Sequence, residues 1–101
     1  MENIDPVEVS PDNYKVLLEN EHVRVLEMQL GAGKSDNKHS HPDLTAYVVK
    51  GGKIRMHEDS GPKDMDVPDG AALWIAAHTH RVENIGTTDF KVIVIEDKKS
   101  K

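Results

Sequence analysis

The sequence predicts an all-β domain, either a sandwich or a closed barrel, and three observations carry that prediction. Seven short runs are rich in Val, Ile, Leu or aromatic residues: 14–18, 22–30, 45–50, 53–58, 71–76, 80–84 and 90–96. Turn residues punctuate them, as Gly31-Ala32-Gly33, Gly51-Gly52, Asp59-Ser60-Gly61-Pro62, Pro68-Asp69-Gly70 and Ile85-Gly86-Thr87. Almost nothing reads as helix, and many short strands at close spacing are the pattern of a barrel or sandwich.

The first dozen residues, with Pro6, Pro11 and several acids, read as an arm over 1–12 that is ordered only where it docks. The barrel itself is expected over 13–97, followed by a short basic tail at 98–101 that reads as a solvated end. The run 22–30 changes phase: Val23 and Val25 share one parity, and Leu26, Met28 and Leu30 the other. That pattern predicts a bulge, or burial of both faces in a two-layer barrel or a homodimer. The run 90–95, Phe-Lys-Val-Ile-Val-Ile, is nearly continuous in apolar residues and is expected to be covered on both faces.

Composition bounds the function. A chain of 101 residues fits one domain. Its net charge of −5 repels phosphate backbones, and no Lys/Arg stripe interleaves with aromatics, so nucleic-acid binding is not expected. The absence of cysteine excludes disulfides, thiolate catalysis and thiolate-held metals. No apolar run approaches the roughly 18 residues of a membrane helix, and the acidic start Met1-Glu2-Asn3-Ile4-Asp5 is unlike a signal peptide, so a cytoplasmic protein without membrane contact is the expectation.

Six histidines, at 22, 39, 41, 57, 78 and 80, include two His-x-His pairs, His39-Ser40-His41 and His78-Thr79-His80. Residues two apart on a strand point to one face, so each pair can aim two imidazoles at one point. Imidazole is neutral and basic at cellular pH and is the commonest protein ligand for first-row divalent metals. One such pair is commonly two surface histidines; a second pair some 40 residues on, at the edge of another strand, points instead to a metal site.

The stretch from Gly33 through His39 and His41 to the Gly51-Gly52 turn resembles the first motif of the cupins, and Gly70 to Asn84, with His80 as its histidine, resembles the second. The resemblance spans about Val23 to Ile95 and implies a cupin double-stranded β-helix, or jelly-roll barrel. It implies His39, His41 and His80 as ligands of one divalent ion (Fe, Mn, Co, Ni, Cu or Zn). Two positions depart from the motifs. The motif Glu is replaced by Thr45, or by Ala46 under a longer spacing; the Pro-x-Gly turn has become Ala76-Ala77-His78. His78 then reads either as a turn residue facing solvent or as a fourth ligand or acid/base at the pocket mouth. Glu27 is an alternative source of a carboxylate if its parity faces inward. His22 and His57 match neither motif and read as ordinary strand residues, and Asp43, behind Pro42, is not counted as a ligand.

Strand parity nominates Thr45, Tyr47, Met56 and Trp74 as pocket candidates beside His78 and Glu27, with core packing as the alternative for each apolar residue. Arg24 and Arg55 read either as partners of an anionic substrate or as solvated strand residues. Cupins with three-histidine sites include dioxygenases of thiols and β-diketones. The resemblance therefore implies a metal-binding monocupin, dioxygenase-like, with a small organic anion as substrate; an isomerase or a hydrolase fits the same site. A non-catalytic module that captures a small ligand or metal is the rival reading.

Overall fold

The structure, a computed structural model, describes residues 3–98. Met1, Glu2 and the tail residues 99–101 lie outside the described residues. Among those described are one short helix, α1 (Pro6–Val9), and the strands β1 (Tyr14–Glu19), β2 (Val23–Leu30), β3 (His39–His41), β4 (Leu44–Lys50), β5 (Gly52–Glu58), β6 (Gly61–Val67), β7 (Ala72–Ile75), β8 (His78–Asn84) and β9 (Phe90–Asp97). They form two antiparallel sheets, of order β1-β2-β9-β4-β7 and β3-β8-β5-β6.

Alternation decides which side chains meet between the sheets. Leu26, Met28 and Leu30 on β2, Leu44, Ala46 and Val48 on β4, and Val92 and Val94 on β9 are buried. They join Ile54, Val67 and Val82 of the other sheet in one apolar core. The phase change in β2 has its cause here. Only the Leu26 parity enters the core, while Val23 and Val25 lie half-buried on the outer face. The irregularity falls in the partner strand, where Val16 faces Leu26 and Leu18 faces Val25, leaving Leu17 as the extra residue. Nor is β9 covered equally on its two faces. Its even positions are buried, while Lys91, Ile93 and Ile95 are half-buried and Asp97 exposed, because Ile95 stands between Val25 and Thr45, and Ile93 beside Tyr47, on the outer face.

Three elements have no apolar signature in the sequence. β6 reads Gly-Pro-Lys-Asp-Met-Asp-Val and pairs along its whole length with β5. It is an edge strand, and charge and proline on an edge protect it from pairing with another chain. β3 is His-Ser-His, held by its ladder with β8. α1 is one turn capped by the Asp5 carboxylate, which accepts from Val7 N at 2.9 Å. It packs against β1 and β3, and the segment before it joins β3: Ser40 N donates to Ile4 O at 2.7 Å, and Ile4 N donates to Ser40 Oγ at 2.7 Å.

Gly51 is the single residue between β4 and β5, where the chain leaves one sheet for the other. A Cβ there would stand 1.9 Å from the Val67 carbonyl oxygen, a contact that only backbone movement relieves. Gly51→Ala is therefore expected to destabilise the fold by about 2–4 kcal/mol in urea denaturation. Gly52→Ala, whose nearest contact is Thr88 Oγ1 at 3.7 Å, serves as the tolerant neighbour in the same measurement.

Candidate metal centre

The ladder between β3 and β8 sets His39 opposite His80 and His41 opposite His78. Each strand has a period of two, so both rungs project from one face, towards the space between the sheets. His39, His41 and His80 are buried, and one ring nitrogen from each lies within 4.8 Å of the others. Three nitrogens so grouped could hold one metal ion.

Their hydrogen bonds prepare them for it. His39 Nδ1 donates to the Asn37 carbonyl at 2.7 Å. A carbonyl can only accept, so Nδ1 carries a proton, and in the neutral ring Nε2 is the atom with the lone pair. His41 Nδ1 donates to Glu96 Oε2 at 2.6 Å, with the same result. Such partners fix the tautomer and aim of a metal-binding imidazole. Glu96, at the end of β9, accepts a second bond from Arg24 Nε at 2.8 Å, and the Arg24 guanidinium also pairs with Asp5 at 3.1 Å.

The electrostatics follow from burial and partners. Burial of Glu96 works to raise its pKa, but the donors His41 and Arg24 prevail and hold it below the usual carboxylate value. Burial lowers the pKa of His41, partly offset by Glu96. His80 is pushed down to about 2, by burial first and then by its neighbours His78, His39 and His41. Both ligand candidates are therefore neutral, as metal binding requires.

Tyr14 of β1 completes the polar end. Its hydroxyl donates to Asp36 Oδ2 at 3.0 Å, and its oxygen lies 3.2 Å from His39 Nε2. Burial and the facing Asp36 raise its pKa well above the ordinary value, so it remains a neutral phenol. Asp36 also accepts from Val82 N at 2.8 Å. The motif residue Asn84 is structural: its side chain donates to Leu30 O and Thr88 O and accepts from Gly86 N.

A cavity of about 90 Å³ opens beside the histidines. Tyr14, His41, His78 and His80 form its polar end, and Ala46, Met56, Ile75 and Phe90 are among its apolar walls. Met56 and His78 both line it. Four candidates do not. Thr45 and Tyr47 point outward, because Leu44, Ala46 and Val48 are the inward parity of β4. Ala46, the alternative site of the missing Glu, is the one that lines the cavity. Trp74 pairs with Thr45 across β7 and is 67% exposed, while Leu73 and Ile75 face the cavity. Glu27 has the outward parity of β2, 3.6 Å from Lys91 Nζ, and supplies no carboxylate. Arg24 and Arg55 are held by carboxylates of the chain itself, Asp5 with Glu96 and Asp64. His22 and His57 stand outside the cluster, beside Glu21 and Glu83.

Tyr14, Asp36 and Glu96 escaped the sequence reading. Glu96 alone carried a signal. It continues the parity of Phe90, Val92 and Val94 and so is a carboxylate at an inward position of an apolar strand. Tyr14 and Asp36 meet only through the tertiary fold.

Solved structures share this fold. A cupin domain from Bordetella pertussis Tohama I superposes with a TM-score of 0.79 at 22% identity, over 97% of this chain and 98% of that one. An RmlC-like cupin family protein with a double-stranded β-helix fold, from Methanocaldococcus jannaschii, gives 0.67 at 20% identity, over 83% and 77%. A conserved protein with a double-stranded β-helix domain from Klebsiella pneumoniae gives 0.64 at 20%, over 100% and 94%. No protein-family model and no curated protein matches the sequence.

The depressed pKa values set the acid response of the metal-free protein. Unfolded imidazoles bind protons below about pH 6.5, whereas His41 and His80 in the fold do so only at lower pH. The unfolded state then carries more protons, and stability is lost as pH falls below about 6.5, by up to about 1.4 kcal/mol per pH unit for each imidazole. Urea denaturation in chelator between pH 7.5 and about 5 measures this, and His80→Asn is expected to flatten the slope.

Proposed function

We propose that this chain, which has the cupin fold, binds one divalent metal ion through His39, His41 and His80 and uses it to take a small organic anion into the adjoining cavity. The observation that carries the reading is the tautomer control within the cluster: acceptors on the Nδ1 atoms of His39 and His41 leave the Nε2 atoms of both rings as the candidate ligand atoms beside His80. A bound divalent ion would supply a positive charge that attracts and polarises a chelating anion. The chain supplies the rest. Glu96 and Asn37 orient imidazoles, Tyr14 offers a neutral hydroxyl beside His39, and the apolar walls exclude water from the body of the ligand.

The lining also bears on reaction class. No Asp, Glu, Lys or Arg lines the cavity among the described residues. An anion there has only the metal to neutralise it, and a hydrolysis or isomerisation that needs a carboxylate base finds none in the wall. Dioxygenase-like chemistry, in which the metal performs the activation and the protein supplies geometry, suits these walls better. The same walls suit a non-catalytic module that captures a small ligand, and oxygen consumption separates the two.

His39→Ala, His41→Ala and His80→Ala are each expected to remove most bound metal, while His22→Ala and His57→Ala keep it. The same metal should raise the melting temperature of the wild type and of the last two variants only. Full metal occupancy in His80→Ala contradicts the ligand assignment. With iron loaded, an oxygen electrode should register uptake on addition of a small enolate or thiolate if the protein is an oxygenase, and none if it only binds.

Carboxylate substitutions test the side from which the site is open. Thr45→Glu is expected to leave metal affinity unchanged, because residue 45 faces outward. Ala46→Glu should tighten binding of the bare ion and weaken binding of anionic chelators. It should also destabilise the metal-free protein by a few kcal/mol, since the new carboxylate is buried unpaired. Calorimetric titration of both variants reads all three effects.

A further inference from the structure

We propose that His78 is a fourth nitrogen ligand of the same ion, replacing the carboxylate that β4 does not provide. The inference rests on the metal reading above and adds to it a residue that the three-histidine set leaves out.

Three features of His78 support it. First, His78 has the inward parity of β8, in line with His80, Val82 and Asn84, and it lines the cavity. The Ala76-Ala77-His78 segment therefore does not simply turn its histidine to solvent. Second, the β3–β8 register makes the four imidazoles a two-by-two array, with ring centroids 4.7 Å apart for His39 and His80 and 5.4 Å for His41 and His78. Third, His78 Nδ1 donates to the Ala76 carbonyl at 2.8 Å, so its Nε2 carries a lone pair, as in His39 and His41.

That Nε2 stands 3.3 Å from His80 Nε2. Two nitrogens held about 2.0–2.2 Å from one ion lie roughly 2.8–3.6 Å apart over ligand angles of about 90–109°, so this hydrogen-bonded pair is close enough to share one centre. Across the array, the position expected for the motif carboxylate is Ala46, whose methyl group cannot coordinate. A site of four neutral imidazoles leaves the ion its full charge. It also leaves a six-coordinate ion about two open positions instead of three, enough for one bidentate anion.

Titration with Co(II) and Cu(II) of the untagged protein, His78→Ala, His78→Gln and His80→Ala tests the proposal. Wild type should bind one ion. His78→Ala and His78→Gln should still bind one, with affinity at least tenfold weaker, a changed Co(II) visible spectrum, and one fewer imidazole in the Cu(II) nitrogen hyperfine couplings. His80→Ala should lose stoichiometric binding. Equal affinity and identical spectra in wild type and both His78 variants, with the single ion retained, would overturn the fourth ligand and leave the three-histidine reading standing. A wild-type protein that binds neither ion would overturn both.

Discussion

Taking an ionised carboxylate out of water costs several kcal/mol unless donors replace the lost hydration. Glu96 is 3% exposed, and the donors it requires organise one end of the molecule. His41 meets one oxygen and Arg24 the other. Satisfying the charge fixes the His41 tautomer and draws Arg24 to the seam where β2 and β9 pair. Arg24 in turn holds Asp5, which caps α1. One buried charge thereby links a metal-ligand candidate, two strands and the amino-terminal segment. Glu96 follows three buried apolar residues of the same parity, so the metal end and the apolar core of the barrel share a strand.

The fold was legible wherever a strand has one wet face and one dry one. The apolar runs and turn residues located seven strands to within a few residues, and the two motifs supplied the barrel they close into. The strands that were missed are those whose stability is tertiary. β6 has no apolar stripe because it lies at an edge, and β3 has none because its inward residues are the histidines themselves. For the site, the ligand candidates were legible because their spacing is local. The pocket walls were not, because a one-residue error in register exchanges the two faces of a strand. Starting β4 at Leu44 puts Ala46 inside and Thr45 outside, and the same parity on β7 exchanges Trp74 for Leu73 and Ile75.

The interior divides its labour by polarity. At one end, every imidazole nitrogen engaged in a hydrogen bond has a defined partner, and no described buried side-chain nitrogen or oxygen lacks one. Towards the other end the walls are Leu, Val, Ile, Met and Phe. A molecule entering this space meets directional groups at its head and only shape along its body. Side-chain changes such as Ile75 or Met65 to larger or smaller residues would therefore alter which body fits without disturbing the histidine array.

The pairing of Ile4 with Ser40 has a practical side for anyone handling the protein. Ser40 lies between His39 and His41, so the amino-terminal segment is stitched to the strand that carries two of the ligand candidates. Proteolytic clipping after residue 5 would leave every strand in place and the circular dichroism spectrum nearly unchanged. It would nonetheless remove both backbone bonds to Ser40 and the Asp5 carboxylate from Arg24. A preparation clipped in this way would pass as folded while its histidines had lost part of their support. Intact mass, in addition to secondary-structure content, is then the quality criterion for any preparation of this protein, and an affinity tag belongs at the carboxyl end.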